Sequence, residues 1–293
     1  MTYRDSSPAD PPSGEPMQAT ADESVLERIV REMRDELPAI RAATPENELQ
    51  WAANDRDPPR DFLAALMQPD VGIIAEVKRG SPSKGVFARS VQGPGTARLF
   101  RDAGAIAISI LTSKYFYADN TVLSSAADAL LDDHRRWDKP IPPLLRKEFH
   151  FDRYQVLEAR ALGADAYLLI VKTMDDATLR DLVAYGQDEL GMTAFVEVTD
   201  EHEVEAALEA GANAIGINNR DLHTFREDLG TTERVRRYVP DGVAVVAASG
   251  VRSFRGMERM KQAKVNAVLI GEALAVADDI PAKFAELQTG QSQ

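Results

Sequence analysis

The sequence predicts an α/β protein, a (β/α)8 TIM barrel with an N-terminal helical extension. Short β-rich segments alternate with amphipathic stretches over about 220 residues, the order expected of that barrel. Several of the helical stretches also end in glycine directly before the next β-rich segment. A doubly wound open sheet is the alternative, but no predicted strand is followed by the Gly-x-Gly-x-x-Gly turn typical of that class.

The predicted strands are rich in aliphatic and β-branched residues. They lie at 72–77, 105–111, 143–146, 166–171, 193–198, 214–217, 243–248 and 267–270. Helices are predicted between them, among others at 154–162, 176–190, 201–210, 231–238 and 254–262. Gly104, Gly163 and Gly211 suit the C-terminal caps of three helices, because glycine adopts the left-handed backbone conformation found there without strain.

The N-terminal region differs from the barrel in composition. Residues 1–22 are rich in Pro, Ser, Asp and Gly, and we expect a disordered tail. Ser24, with Glu27 three residues later, forms a capping-box pattern that predicts a helix to about residue 37. Residues 23–60 would then form the helical extension, closed by a Pro-rich linker at 54–60, and residues 61–293 the barrel.

Charge narrows the choice of partners. The formal net charge of −13 argues against nucleic-acid binding, which needs a basic surface. Only nine of the 34 basic residues are lysine, and an acidic, lysine-poor chain favours adaptation to high salt. The alternative is that the acidic composition arose by neutral change in the sequence, without adaptation to salt.

The residue types also limit location and cofactors. The chain has no cysteine, which excludes disulfides and thiolate metal sites. No apolar run is long enough to span a membrane and no signal peptide is recognisable, so we expect a cytoplasmic protein. The histidines show no metal-binding spacing, and we expect neither a metal nor another cofactor; they are His134, His150, His202 and His223.

Charged and polar residues mark the C-terminal ends of the predicted strands, where barrels of this type place their active sites. Glu76 and Lys78 close the first strand two residues apart, so both side chains fall on one face. Burying a carboxylate or an ammonium group there costs folding free energy unless the group is paired, so an acid and a base at this place suggest either an ion pair or a catalytic role. Lys147, Glu197 and Asn218 stand at the ends of the third, fifth and sixth strands and complete the catalytic candidates.

Glycines follow the seventh and eighth strands and predict a phosphate site. Gly250 and Gly271 would let backbone N–H groups approach an anion, although tight turns are an alternative reason for both. Phe87, Phe116 and Phe149 could form a wall for an aromatic ring, or belong to the core. The substrate-binding candidates are Ser81, Ser83, Phe116, Arg220, Ser249, Gly250, Leu269, Gly271 and Glu272.

Three stretches carry a specific resemblance. Ile-Ala-Glu-Val-Lys with Ser-Pro-Ser-Lys-Gly at 74–85, Leu-Arg-Lys-Glu-Phe at 145–149 and Gly-Ile-Asn-Asn-Arg-Asp-Leu at 216–222 occur in this order. With shorter matches over roughly residues 60–275, they resemble indole-3-glycerol-phosphate synthase of tryptophan biosynthesis.

The resemblance implies a phosphorylated small-molecule substrate and no cofactor. The substrate would be 1-(o-carboxyphenylamino)-1-deoxyribulose 5-phosphate, converted to indole-3-glycerol phosphate with loss of carbon dioxide and water. Other enzymes of tryptophan biosynthesis are the protein partners to consider.

It also implies roles for individual residues. Lys147 would be the general acid, Lys78 would hold the anthranilate carboxylate, and Glu197 would act as base or electrostatic stabiliser. The remaining groups would bind substrate: Glu76 and Asn218 at its hydroxyls, Arg220 near its carboxylate, and Ser81, Gly250 and Gly271, with Ser249 nearby, at its phosphate.

Ala248 departs from the family, which usually has glutamate at this position. Two alternatives stay open: another phosphate-binding barrel isomerase, and a non-catalytic barrel that serves as a scaffold. The absence of cysteine disfavours an isomerase that depends on a thiol. The combined retention of charged groups at the strand ends disfavours the scaffold.

Overall fold

The computed structural model describes residues 23–82, 84–88, 91, 93–221 and 226–291. The tail expected at 1–22 lies outside the described residues, as do Ser83 and His223. Within these ranges, eight parallel strands close into one barrel, which confirms the predicted fold class. The strands are β1 (Gly72–Val77), β2 (Ala107–Leu111), β3 (Leu144–Lys147), β4 (Ala166–Ile170), β5 (Thr193–Val198), β6 (Ala214–Asn218), β7 (Ala244–Ala248) and β8 (Ala267–Ile270).

Strand order in space follows strand order in the chain, and β8 closes the ring on β1. β1, β5 and β8 have the predicted bounds, and the other strands differ by one or two residues at their ends. Two of these differences matter for the site, because β3 extends to Lys147 and β6 extends to Asn218. Both side chains are therefore fixed by strand geometry.

Three of the described helices precede β1, and the others follow the strands on the outside of the barrel. They are α1 (Val25–Ala43), α2 (Glu46–Asn54), α3 (Phe62–Leu66), α4 (Gly93–Asp102), α5 (Asn120–Trp137), α6 (Arg153–Ala161), α7 (Asp176–Ala184), α8 (Glu201–Glu209), α9 (Gly230–Val235), α10 (Phe254–Gln262), α11 (Glu272–Ala275) and α12 (Ile280–Thr289). The predicted glycine caps are confirmed, since Gly104, Gly163 and Gly211 have φ of +92°, +94° and +87°. None of the described helices is long and apolar enough to cross a membrane.

The predicted ends of three helices were wrong, and the helix predicted at 231–238 ends at Val235 and continues as a 3₁₀ turn, Arg236–Tyr238. α1 does not stop near residue 37 but continues through Pro38, which is exposed, so water can reach the carbonyl that a proline leaves without its helical partner. The helix predicted at 176–190 ends at Ala184 and continues as a π-helical turn, Tyr185–Glu189. The Tyr167 hydroxyl donates to the Leu182 carbonyl at 2.7 Å, and a side chain inserted into the helical ladder at such a point produces a local π-turn.

Alternation along the strands separates two apolar layers. Ile73, Ala75 and Val77 face the surrounding helices, whereas Ile74 belongs to the cluster inside the barrel. α3 closes one end of this inner cluster, because Phe62 and Leu66 pack against the first inward residues of several strands. The opposite, C-terminal end of the barrel is left for polar groups.

α1 lies against the C-terminal end. The predicted capping box is present: the Glu27 N–H donates to Ser24 Oγ at 3.2 Å, and the Ser24 N–H donates to Glu27 Oε2 at 2.8 Å. Val25 and Ile29 pack with Tyr115, in the loop that follows β2. The N-terminal helix therefore forms part of the wall around the barrel mouth.

Candidate active site

An open cleft occupies the C-terminal end of the barrel and holds about 1120 Å³, its mouth included. Its lining brings together all of the described site candidates from the sequence. These are Glu76, Lys78, Ser81, Phe116, Lys147, Glu197, Asn218, Arg220, Ser249, Gly250, Leu269, Gly271 and Glu272. Ser83 lies outside the described residues.

Three polar side chains form a chain of hydrogen bonds across neighbouring strands. Lys147 Nζ lies 3.2 Å from Glu197 Oε2, and Asn218 Nδ2 donates to Glu197 Oε1 at 2.8 Å. Glu197 is only 4 % exposed, and each of its carboxylate oxygens is held by one of these neighbours. The carboxylate is held from both sides, and it fixes the direction of Lys147 Nζ in turn.

A second pair lies on the β1 side of the cleft. Lys78 Nζ is 3.6 Å from Glu76 Oε1 and 5.3 Å from the centre of the Phe116 ring. Burial lowers the pKa of Lys78, and this effect outweighs the attraction of the Glu76 carboxylate. The charges of Arg220 and Lys147 lower the pKa further. Lys78 therefore loses its proton at a lower pH than an exposed lysine does.

Gly271 owes its identity to the carboxylate beside it. A Cβ atom at this position would lie 2.3 Å from Glu76 Oε1. Its φ of −110° is open to any residue, so backbone conformation does not demand glycine here. The missing side chain makes room for Glu76, a reason that the sequence did not reveal.

The loop after β7 has a different constraint. Ser249 and Gly250 both have left-handed backbone conformations, with φ of +68° and +86°. Glycine carries no steric penalty there, whereas Ser249 does. The two residues turn the chain sharply at the rim of the cleft.

An apolar wall faces the charged groups. The Phe116 and Phe149 rings are 6.3 Å apart, and Val25, Leu26 and Ile29 of α1 line the same cleft. Phe87, also expected in this wall, does not line the cleft; its backbone is bound instead to Arg79 in the loop after β1.

The sequence missed two charged residues of the lining, Glu227 and Arg252. Glu227 Oε1 accepts a hydrogen bond from Arg220 Nη2 at 2.5 Å, and Glu227 Oε2 accepts one from Arg252 Nη2 at 2.6 Å. Both residues lie beyond the strand ends on which the prediction was based. A search continued into the loop after Gly250 would have found Arg252, whereas Glu227 is placed by an isolated β-bridge to Arg220.

The family follows from comparison with known proteins. A family model described as indole-3-glycerol phosphate synthase matches residues 26–287. The chain belongs to the indole-3-glycerol phosphate synthase family. A synthase of this name from Roseiflexus castenholzii is 42% identical over 268 residues, covering 90% of this chain and 98% of the relative. One from Dehalococcoides mccartyi is 40% identical over 264 residues, covering 90% and 99%.

Solved structures agree on the fold alone. A thiamine phosphate pyrophosphorylase from Pyrococcus furiosus has a TM-score of 0.55 at 17% identity, covering 74% of this chain and 94% of that one. A 3-hexulose-6-phosphate synthase from Salmonella typhimurium has a TM-score of 0.54 at 14% identity, covering 74% and 96%.

The sequence relatives favour an indole-3-glycerol phosphate synthase over the isomerase and scaffold alternatives. They identify the chain as an enzyme, a decarboxylating lyase of tryptophan biosynthesis.

Proposed function

We propose that the cleft converts 1-(o-carboxyphenylamino)-1-deoxyribulose 5-phosphate to indole-3-glycerol phosphate, and that its paired lysines and glutamates carry out the proton transfers. The observation that carries this assignment is the Lys147–Glu197–Asn218 chain, which shares one cleft with the Glu76–Lys78 pair and an aromatic wall.

Ring closure needs an acid at the substrate carbonyl. The ring carbon that bears the carboxylate attacks the carbonyl carbon, and the oxygen takes a proton from Lys147 as the new bond forms. The arylamine nitrogen delocalises the positive charge left on the ring. When the ring–carboxylate bond breaks, its electron pair restores the aromatic ring and carbon dioxide leaves.

Dehydration needs a base and an acid. A proton leaves the carbon next to the nitrogen, the hydroxyl formed in the first step departs as water, and the indole double bond results. Glu197 is suited to accept that proton, because it is buried and is held by Lys147 and Asn218. Lys147, once it has taken up a proton from solvent in the open cleft, is suited to supply the proton of the departing water.

The remaining groups would orient the substrate. Lys78 would hold the anthranilate carboxylate, with the ring against Phe116, and partial desolvation of this carboxylate favours loss of carbon dioxide. Glu76 would bind substrate hydroxyls. The phosphate is assigned to the part of the cleft that is lined by Ser81, Ser249, Gly250 and Gly271.

Broader features are also proposals: a cytoplasmic location, adaptation to high salt, association with other tryptophan-pathway enzymes, and division of the chain after residues 22 and 60. The low lysine content and the net charge of −13 support the salt proposal. Steady-state activity measured across a range of potassium chloride concentrations tests it, and an optimum at low salt would contradict it.

The assay for the reaction follows indole fluorescence after the purified protein is mixed with the substrate. A Lys147→Met variant is expected to lose about 10²–10⁴-fold in kcat, the usual contribution of a general acid. Lys172→Met is the matched control, because Lys172 also lies 3.2 Å from a glutamate, Glu203, but outside the cleft lining. Absence of product from the wild type would refute the function, and wild-type turnover in Lys147→Met would refute the general-acid role.

A further inference from the structure

Glu227 occupies an unusual place in the cleft, because a single carboxylate joins two arginines from different loops. Arg220 follows β6 and Arg252 follows β7, and each donates to its own oxygen of Glu227. The side chains of Glu227 and Arg220 are 16% and 19% exposed, so this contact is shielded from water far more than an ordinary surface ion pair. Arg252 is half exposed and closes the arrangement at the rim.

The backbone supports the same contact. Residues on the two sides of the undescribed segment 222–225 run antiparallel: the Asp221 N–H donates to the Arg226 carbonyl and the Asp228 N–H donates to the Asn219 carbonyl, both at 2.9 Å. Arg220 and Glu227 are the bridge partners at the centre of this short ladder. The Arg220 N–H also donates to Asn218 Oδ1 at 2.9 Å, which connects the ladder to the residue that holds Glu197.

We propose that Glu227 is a positioning residue that fixes the Arg220 guanidinium toward the substrate and locks the loop after β6 to the loop after β7. This inference rests on the proposed function, in which Arg220 binds the substrate near its carboxylate. Glu227 itself does not touch the reacting atoms. Its carboxylate sets the direction of the Arg220 side chain and is itself held in place by Arg252.

The sign of the expected effect separates positioning from simple electrostatics. Glu227→Gln removes a negative charge from a cleft that binds an anionic substrate, so electrostatics alone would lower KM. Loss of positioning has the opposite effect, because a displaced guanidinium costs about tenfold to a hundredfold in kcat/KM. We expect kcat/KM to fall by that amount in Glu227→Gln and to recover in part in Glu227→Asp.

A double-mutant cycle tests whether Glu227 acts through Arg220. In an Arg220→Met background, Glu227→Gln should cause almost no further loss of kcat/KM, because the group that it positions is absent. Glu233→Gln is the matched control: Glu233 also pairs with an arginine, Arg259, but at the exposed surface, and the same charge change there should leave kcat/KM unaltered. Full additivity in the cycle, or a higher kcat/KM in Glu227→Gln, would overturn the inference.

A second measurement does not depend on turnover. ¹⁵N relaxation of the Arg220 Nε–H reports the mobility of its guanidinium in the substrate-free protein. The wild type should show a rigid side chain, and Glu227→Gln should show a mobile one at unchanged melting temperature. An equally rigid Arg220 in the variant would overturn the positioning role, even if the wild type proved inactive in the fluorescence assay and the proposed function failed.

Discussion

Replacing Gly271 with alanine should displace the Glu76 carboxylate. The new Cβ would lie 2.3 Å from Glu76 Oε1, 3.2 Å from its carboxyl carbon and 3.3 Å from its Cβ. Glu76 is 5% exposed, so the side chain has little room in which to withdraw. The third contact involves a Cβ atom fixed to β1, which means that a change of rotamer alone cannot relieve the overlap.

The size of the effect follows from these distances. Ordinary contact begins at 3.4 Å, so Oε1 must move by about 1 Å, a displacement that can cost about 100-fold in activity when it disturbs a positioned group. Overpacking at a buried position costs about 1–3 kcal/mol in the free energy of unfolding. Backbone strain adds nothing, because the φ of Gly271 is −110°. We therefore expect both kcat/KM and stability to fall.

Gly95→Ala provides the matched control. Gly95 is an exposed residue of α4, and no atom lies within 4 Å of a Cβ built there. Alanine should stabilise that helix by about 0.5–1 kcal/mol and leave kcat/KM unchanged. The assays are urea unfolding and steady-state kinetics.

A third variant isolates the contact itself. In a Glu76→Ala background only the 3.3 Å contact with the Cβ at position 76 remains, so Gly271→Ala should lose most of its destabilising effect. If Gly271→Ala kept wild-type stability and kcat/KM, the reasoning would fail at its first step. If the destabilisation persisted without the Glu76 side chain, its cause would lie elsewhere.

Two further predictions concern pH. Burial lowers the pKa of His150 to about 3, so the unfolded chain takes up a proton at higher pH than the folded one, and stability is lost as pH falls below about 6.5. Between pH 7 and 5 the free energy of unfolding of the wild type, measured with urea, should fall by about 2 kcal/mol through this effect. The His150→Phe variant should lack this loss, whereas the exposed control His202→Gln should retain it. Equal losses in the wild type and both variants would contradict the assignment to His150. Burial also lowers the pKa of Lys78, and loss of its proton removes the ammonium that would hold the substrate carboxylate. The fall of kcat/KM at alkaline pH should therefore have its midpoint below the ordinary lysine pKa of about 10.4. A midpoint at the ordinary value would count against that role.

The sequence predicted the barrel because its signal is local and repeated. Each strand is a short aliphatic run, and each of three helices ends in a glycine whose positive φ the structure shows. Features that depend on distant contacts were missed. The π-helical turn after α7 depends on Tyr167, a residue of β4, and α3 is a helix of only five residues held by packing inside the barrel end.

The same distinction holds in the cleft. Lys147, Glu197 and Asn218 could be placed from sequence because strand ends in a parallel barrel share one rim. Glu227 could not, because its position depends on a β-bridge formed across loop residues with no periodic pattern. Gly271 was found, but for a different reason, since only the structure shows the Glu76 oxygen that a side chain would meet.

The net charge of the chain does not describe the charge of the cleft. The net charge of −13 describes the whole chain, yet the described residues of the cleft lining include four basic ones, Lys78, Lys147, Arg220 and Arg252, and four acidic ones, Glu76, Glu197, Glu227 and Glu272. Each of these acids lies beside a cation, with Lys84 serving Glu272, so the lining is close to neutral within an acidic protein. An anionic substrate therefore meets several cations gathered at one end of the barrel, whereas a nucleic acid, which contacts a wide surface, meets the repulsion of the remaining charge.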